Sequence, residues 1–221
     1  MNYEWDWPKT EREYKQAIAL NSNDAIAHHW YGEYLGAQGR FDEGLEELRR
    51  AEEFDPLSVA IVADRAKILY LARRYDEVLP QSRKTLQMEP GFLSSYSWLM
   101  RSYAHQGMHN EAQAALEALR QAGASPFDYQ SNFSILKARA GHRDEAKQIL
   151  DRNRAIFNAS PGTILVVETA LGDKEEAFAW MEKCYVDHFT SMTSRKVNPD
   201  YDDLRGDPRF AKYLERVGLS Q

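Results

Sequence analysis

The sequence predicts an all-α fold, a solenoid of stacked antiparallel helix pairs. Turn residues recur with a period of thirty-four, and each opens a similar acidic turn into a helix; they are Gly39, Arg73, Gly107 and Gly141. Small residues recur with the same period, as close helix packing requires. A period of this length, with one helix on each side of a tight turn, is typical of helical-hairpin repeats.

The individual helices follow from counting each repeat so that its turn residue falls at the fifteenth place. A fifth turn, at Gly172, arrives after a step that is three residues short. The first helix of each pair is predicted over residues 25–37, 59–72, 92–106, 127–140 and 161–171. The second helix is predicted over residues 41–54, 75–88, 110–121, 143–157 and 174–186. Pro56 and Pro90 follow the first two of these second helices, because proline cannot continue a helix.

Small side chains mark the two places where paired helices cross. They are Gly32, Ala66 and Ser134 at the eighth place, and Gly44, Ala112, Ala146 and Ala177 at the twentieth. Bulky side chains are expected to fill the space around them, among them Tyr31, Leu35, Leu48, Leu69, Leu99, Tyr103, Leu116, Phe133, Leu150 and Met181. This set is the predicted core.

Residues 1–24 resemble half a repeat. A helix is predicted over residues 10–20, which matches the second helix of a repeat that has lost its first. Because a half-repeat leaves an apolar face uncovered, Trp5 and Trp7 are expected to cover that face as an N-terminal cap. The abrupt start also suggests a chain separated from something longer.

Residues 187–221 are expected to cap the other end of the five repeats, which occupy residues 25–186, so that the chain forms a single domain. Asp207 is a good N-cap and Pro208 is the favoured first residue of a helix. This capping helix is predicted to stop at Gly218.

These residues resemble the tetratricopeptide repeat, which has small residues at places eight and twenty, aromatic residues or Leu at eleven and twenty-four, and Pro at thirty-two. The resemblance implies a right-handed superhelix of about five repeats with an N-terminal half-repeat and a C-terminal capping helix. The opening Trp-Asp-Trp, the run from His28 to Leu35 and the closing Asp-Pro-Arg-Phe are also similar to the C-terminal tetratricopeptide region of bacterial multidomain regulators. In those proteins a winged-helix domain, a kinase or an adenylate cyclase precedes this region. That similarity implies a sensory or protein-interaction module.

Composition narrows the class of partner. With 43% hydrophobic and 28% charged residues, the chain can bury a core and keep a soluble surface. The formal charge of −6 disfavours nucleic acid, whose phosphates need clustered Lys and Arg. No run approaches the roughly 18 apolar residues of a membrane span, and a single cysteine excludes an intrachain disulfide. We expect a cytoplasmic protein, or a periplasmic one if it is part of a longer membrane-anchored regulator.

Candidate catalytic and metal-binding groups are few. Cys184 and His188, four residues apart, could form a nucleophile with its base or a ligand pair. However, Cys184 falls at a small packing place, which favours a buried filler. The other close histidine pairs do not share one helical face: His28–His29 and His105–His109. No phosphate-binding loop or HExxH motif occurs, and we expect no catalytic residue, no cofactor and no metal.

The concave face is the expected binding surface. In the tetratricopeptide family, the second, fifth, ninth, twelfth and thirteenth places of each first helix line this face, and they share one side of the helix. Here those places include His29, Glu33, Lys67, Tyr70, Ser94, Ser97, Arg101, His105, Ser131 and Arg139. Polar groups that converge on a concave face favour binding, although the same charges could simply be solvated.

Two functions fit this face. The first is a non-catalytic scaffold that binds an extended peptide or a partner helix, with Lys67 and Arg101 holding acidic or carbonyl groups of the partner protein. The second is a small-ligand sensor or a scaffold-borne enzyme that uses Lys67, Arg101, His105 and Tyr70 around an acidic metabolite. A long open trough would favour the first, and a closed cavity around a perturbed Lys or His would favour the second. The oligomeric state is left open, because half-repeat ends can also stack on each other.

The resemblance also implies that one known type of peptide-binding site is absent. Tetratricopeptide domains that grip the acidic C-terminal tails of cytosolic chaperones carry Lys at the fifth and Asn at the ninth place of their first repeat. Those places hold His29 and Glu33 here. This clamp for a terminal carboxylate is therefore expected to be missing.

Overall fold

The computed structural model describes residues 6–157, 160–187 and 194–219. The helices in chain order are α1 (Trp7–Leu20), α2 (Ala25–Gln38), α3 (Phe41–Phe54), α4 (Val59–Leu71), α5 (Tyr75–Met88), α6 (Leu93–His105), α7 (His109–Gln121), α8 (Pro126–Arg139), α9 (Arg143–Arg152), α10 (Arg154–Phe157), α11 (Pro161–Leu171), α12 (Lys174–Val186) and α13 (Pro208–Arg216). A 3₁₀ helix over Pro199–Leu204 lies between the last two.

The helices pack in successive pairs, namely α2 with α3, α4 with α5, α6 with α7, α8 with α9 and α11 with α12. Each first helix also contacts the first helix of the next pair, so these helices form one continuous inner layer. The described residues contain no strand, and none of their helices is long and apolar enough to cross a membrane. The predicted fold class, an all-α solenoid with a half-repeat α1 and a capping helix α13, is confirmed.

The turn residues adopt the left-handed conformation that ends a helix sharply. Gly39, for example, has φ +86°, and the amide of Arg40 donates to the Leu35 carbonyl at 2.9 Å. Arg73 has φ +61° and is the only non-glycine residue with positive φ in the described chain. A side chain in this region costs roughly 1–2 kcal/mol. Contacts of the Arg73 side chain, described below, account for its presence.

The first helix pair crosses in direct backbone contact. A Cβ atom added at Gly32 would lie 2.9 Å from the Gly44 carbonyl oxygen, and one added at Gly44 would lie 2.8 Å from the Gly32 carbonyl oxygen. Leu48 fills the space beside this crossing and is fully buried. The small residues predicted at the eighth and twentieth places therefore set the separation of α2 and α3.

Gly44→Ala is expected to lower the free energy of unfolding by about 1–3 kcal/mol, the usual cost of overpacking. The added methyl group has backbone on its far side, which cannot yield as a flexible side chain would. Urea denaturation measures the change. Gly91→Ala is the matched control, because no atom lies within 4 Å of a Cβ built there. Equal stability of the two variants would contradict the close crossing.

The ninth helix departs from the prediction. The helix expected over residues 143–157 is interrupted at Asn153, where α9 ends and α10 begins. The Asn153 side-chain amide donates to the Ile149 carbonyl at 2.8 Å and so competes with the backbone for that acceptor. The short α10 places Phe157 in the core, edge-on to Phe127 with ring centroids 6.0 Å apart.

The two ends of the described chain meet. The Trp7 indole Nε1 donates to the Val217 carbonyl at 3.0 Å, and its ring packs against the core formed by α11, α12 and α13. Trp7 also lies beside Tyr34 of the first repeat, with ring centroids 6.4 Å apart. Trp7, expected to cover the half-repeat, therefore also contacts the C-terminal core, because the solenoid curves enough to bring its ends together. Trp5 lies outside the described residues.

Candidate functional site on the concave face

The N-terminal part of the concave face carries an ion pair and a hydrogen bond between successive repeats. Lys67 donates to Glu33, and His29 Nε2 lies 2.7 Å from an Asp64 carboxylate oxygen. Burial raises the pKa of Glu33, even though the Lys67 ammonium opposes this effect. The Glu33 side chain is 13% exposed and that of Lys67 is 34% exposed. Lys67 therefore keeps contact with solvent while its charge is balanced.

A cavity of about 540 Å³ opens beside this pair. It lies between α1, α2, α4 and Ser194, and four of its ten lining residues are aromatic. The lining residues are Trp7, Thr10, Tyr14, Trp30, Glu33, Tyr34, Ala37, Lys67, Leu71 and Ser194. Trp30 is 53% exposed, which is high for so large an apolar side chain.

Further along the groove, a segment of the chain itself lies on the concave face. We call residues 194–204 the C-terminal strap. Val197 of the strap packs in one cluster with Leu69 and Tyr70, and its Cγ1 atom lies 3.2 Å from the position of a Cβ at Gly39. The strap therefore touches the turn end of the first two repeats before it enters the groove.

The centre of the groove is a buried carboxylate bound by side chains from three repeats. Asp200 of the strap accepts from Arg101 Nη1 at 2.6 Å, from Arg139 Nη2 at 2.7 Å and from the Tyr70 hydroxyl at 2.9 Å. His105 Nε2 lies 3.7 Å from the same carboxylate and 2.9 Å from the Tyr70 hydroxyl. The Asp200 side chain is 0% exposed. A carboxylate is stable at such a position only when cations and donors surround it.

The surroundings fix the charge of this cluster. Burial alone would raise the pKa of Asp200, but Arg101, His105 and Arg139 together hold it well below its ordinary range. Burial and the nearby Asp200 charge raise the pKa of Tyr70 well above its ordinary value. Asp200 is therefore an anion and Tyr70 a neutral hydrogen-bond donor at neutral pH.

The side chain of Arg73 holds the strap in place, and these contacts explain why a residue other than glycine occupies this strained turn. Its Nη2 and Nε atoms donate to the Asp202 carboxylate at 2.5 and 3.1 Å, and its Nη1 donates to the Val197 carbonyl at 3.3 Å. A glycine at this place would relieve the backbone but would remove all three hydrogen bonds. The one repeat without a turn glycine is thus the one whose turn binds the strap.

The strap is also ordered by its own residues. The Asn198 side-chain oxygen accepts from the Asp200 amide at 2.9 Å, which forms a tight turn ahead of the buried carboxylate. Arg205 donates to the Asn198 carbonyl at 3.0 Å and to Asp202 at 2.6 Å. Asp200 is consequently presented in one orientation.

The predicted site residues fall into two groups. Tyr70, Arg101 and His105 converge on Asp200, whereas at the open end Lys67 pairs with Glu33 and His29 contacts Asp64. On α6, Ser94 is exposed and Ser97 is half-buried. Arg139 and Ser131, noted in the sequence as groove positions, lie on α8, and only Arg139 contacts Asp200.

Sequence reasoning missed Asp200, the residue on which the cluster depends. From sequence, acidic pairs such as Asp202–Asp203 are expected to be solvated or to cap helices, which suits these two exposed residues but not the buried Asp200. One feature of the sequence pointed to an acidic residue in the groove. Arg101 and Arg139 stand on the same predicted groove face in adjacent repeats, and two cations brought close together there require an anion.

Cys184 is fully buried in the C-terminal core, which agrees with the packing role expected for it. His188 lies outside the described residues. Within the described ranges, no group of three or more His, Cys, Asp or Glu side chains is arranged to hold a metal ion.

The lowered pKa of Asp200 gives an expected dependence of stability on pH. The unfolded chain takes up a proton at Asp200 at a higher pH than the folded chain does. The stabilisation that ionised Asp200 gives the folded state is therefore complete above the ordinary Asp pKa of about 4, and it is lost as pH falls below that value. Urea denaturation between pH 7 and pH 3 measures this loss. Asp200→Asn should show a shallower decline, and an equally steep one would assign the effect to other carboxylates.

Comparisons with known proteins agree with this architecture. Residues 25–50 and 93–118 match the sequence model of the tetratricopeptide repeat. A thermophilic tetratricopeptide protein of Thermus thermophilus is 18% identical, with 87% of this chain and 98% of that chain covered and a TM-score of 0.60. A tetratricopeptide protein from Parabacteroides merdae is 17% identical over 97% of this chain and 84% of that chain, with a TM-score of 0.59.

PilW, a type IV pilus biogenesis factor, is likewise 17% identical, covers 87% of this chain and 90% of its own, and has a TM-score of 0.59. None of the curated proteins compared with the chain is significantly similar to it in sequence. The similarity to bacterial multidomain regulators stays an expectation. The match in two repeats and the shared architecture show a solenoid of the tetratricopeptide-repeat fold.

Proposed function

We propose that the protein is a non-catalytic scaffold that binds an extended segment of another protein in its concave groove. Stacked helical hairpins commonly present extended concave surfaces for this purpose. The proposal assigns the groove to binding and assigns no residue to catalysis.

The observation that carries this proposal is that the groove already holds a short segment of polypeptide, which includes the 3₁₀ helix over Pro199–Leu204. Side chains from α4, α6 and α8 together bind the strap at Asp200. Contacts to one segment from three successive repeats are the arrangement expected of a surface that binds extended chains. The three residues stand at the twelfth, ninth and thirteenth places of their repeats, all of which are among the places expected to line the groove.

The open cavity beside Lys67 and Glu33 continues this surface past Ser194, the first residue of the strap. Its aromatic rings offer apolar contact area at low cost in side-chain entropy. The exposed Trp30 and the ammonium of Lys67 stand at its edge, and they supply one apolar and one polar anchor. We assign this cavity to the first part of the bound segment.

The four residues that a small-ligand sensor would use are not gathered around one cavity. Lys67 pairs with Glu33, whereas Arg101, His105 and Tyr70 are bound to Asp200 or lie beside it. The scaffold is therefore the function that the geometry supports best.

The test is selection of random peptides displayed on phage against the full chain, followed by fluorescence anisotropy with the selected peptides. Trp30→Ala and Lys67→Met are each expected to weaken binding about tenfold, equivalent to about 1.4 kcal/mol. Leu57→Ala is the control, because Leu57 is 84% exposed in the loop between α3 and α4. Failure to select any peptide, or unchanged binding by both groove variants, would overturn the proposal.

A further inference from the structure

We propose that Arg101, Arg139, Tyr70 and His105 form a binding site for an internal aspartate of a partner protein, and that Asp200 is the chain's own competing occupant. This inference rests on the proposed function and specifies its partner. The partner presents an aspartate within a turn, as Asn198–Pro199–Asp200 does, and does not present a chain terminus. The strap thereby sets how tightly the partner binds.

The balance of charge in the cluster supports an acidic partner. Two guanidinium groups face one carboxylate, with the His105 imidazole beside them, so Asp200 alone leaves an excess of positive charge. The Nε atoms of Arg101 and Arg139 have no hydrogen-bond partner among the described residues. The two side chains are 19% and 15% exposed, so neither is completely closed off from solvent.

At Asp200 the strap contacts the groove as a ligand would. At Asp200 its contacts to the inner helices are polar and converge on one side chain. The capping helix α13, by contrast, is held by buried apolar residues such as Phe210 and Leu219. The Asp200 side chain is therefore bound by polar groups alone, whereas Tyr201 and Leu204 of the same 3₁₀ helix belong to the apolar core.

When a partner aspartate replaces the Asp200 carboxylate, the strap stays anchored on both sides of Asp200. Arg195 is buried and donates to the Tyr213 hydroxyl at 2.7 Å, and Tyr201 is buried in the same C-terminal core. Residues 196–200 lie between these anchors. A partner aspartate can replace the Asp200 carboxylate by a local shift of this short segment, which also loosens the packing of Val197 against Leu69 and Tyr70. The repeats and the capping helix stay packed.

Because the strap is tethered, Asp200 competes at an effective concentration of millimolar order. A partner acid therefore binds the wild-type chain more weakly than it binds a chain without the Asp200 carboxylate. We expect a difference of at least tenfold in dissociation constant, since affinity scales with the fraction of protein whose site is free.

The experiment uses a labelled peptide with the sequence of residues 198–204, Asn-Pro-Asp-Tyr-Asp-Asp-Leu, and fluorescence anisotropy. Full-length Asp200→Asn is expected to bind this peptide at least tenfold more tightly than the wild type does. A control peptide with Asn in place of its first Asp should bind the variant at least tenfold more weakly. Adding Arg101→Gln to the Asp200→Asn variant should abolish binding.

Three outcomes would overturn the inference: no binding to Asp200→Asn, equal binding of both peptides, or equal affinity of variant and wild type. If the peptides selected by phage display still bind through Trp30 and Lys67, the proposed scaffold function would remain supported. If circular dichroism shows that Asp200→Asn is unfolded, the wild type is titrated with millimolar peptide by NMR. The Nε–H signals of Arg101 and Arg139 should then shift, with Arg152 as the reference, and unchanged signals would also overturn the inference.

Discussion

Asp200→Ala is expected to lower the free energy of unfolding by about 3–5 kcal/mol, because it leaves the guanidinium groups of Arg101 and Arg139 without their carboxylate in a buried site. Urea denaturation followed by tryptophan fluorescence measures the change. Asp203→Ala is the matched control, because Asp203 is an exposed acidic residue of the same strap. Its effect is expected to stay within about 0.5 kcal/mol.

A triple replacement separates the cost of unpaired charge from any general need for the strap. Asp200→Leu combined with Arg101→Met and Arg139→Met removes the whole ionic cluster and leaves side chains of comparable bulk. Because buried ion pairs replaced as a unit are often neutral for stability, this variant should recover most of the loss seen in Asp200→Ala. A triple variant as unstable as the single one would show that the loss does not come from unpaired arginines.

The helix pairs could be predicted from sequence because their causes are local and repeat. A turn residue every thirty-four positions and small residues at helix crossings act within one hairpin, so each repeat carries the same signal. Gly32 and Gly44 illustrate this, since their backbone contact joins two helices only a short turn apart. The interruption at Asn153 escaped prediction because one side-chain hydrogen bond decided it.

The contact between the strap and the groove could not be predicted in the same way. Arg101 and Asp200 are 99 residues apart in the chain, and no repeat relates them. The sequence does contain one departure from the repeat pattern, because Arg73 stands at the turn place where the other repeats carry glycine. Departures of this kind concentrate at functional positions, because a strained residue persists only where other contacts compensate for it.

Removal of residues 207–221 is expected to have the second large effect. The deletion takes away four buried apolar side chains that cover the last repeat, Phe210, Tyr213, Val217 and Leu219. Loss of a single large core side chain costs about 2–5 kcal/mol. The loss of all four side chains therefore exceeds the free energy that one helix pair can lose and stay folded. In a solenoid each repeat depends on its neighbours, so α11 and α12 should unfold while the N-terminal repeats remain folded.

Hydrogen exchange resolves this outcome, with protection expected to disappear in α11 and α12 and to persist in α2 to α5. The deletion also removes the Val217 carbonyl that accepts from Trp7, so exchange should rise in α1 as well. Trp7→Phe in the full chain isolates this contribution, since it removes one hydrogen bond worth about 1 kcal/mol and keeps the aromatic ring. A truncated chain that unfolds in one transition at the wild-type urea midpoint would show that the capping helix does not support the last repeat. Exchange that rises in α11 and α12 but not in α1 would show that the contact between the chain ends contributes little to the stability of the half-repeat.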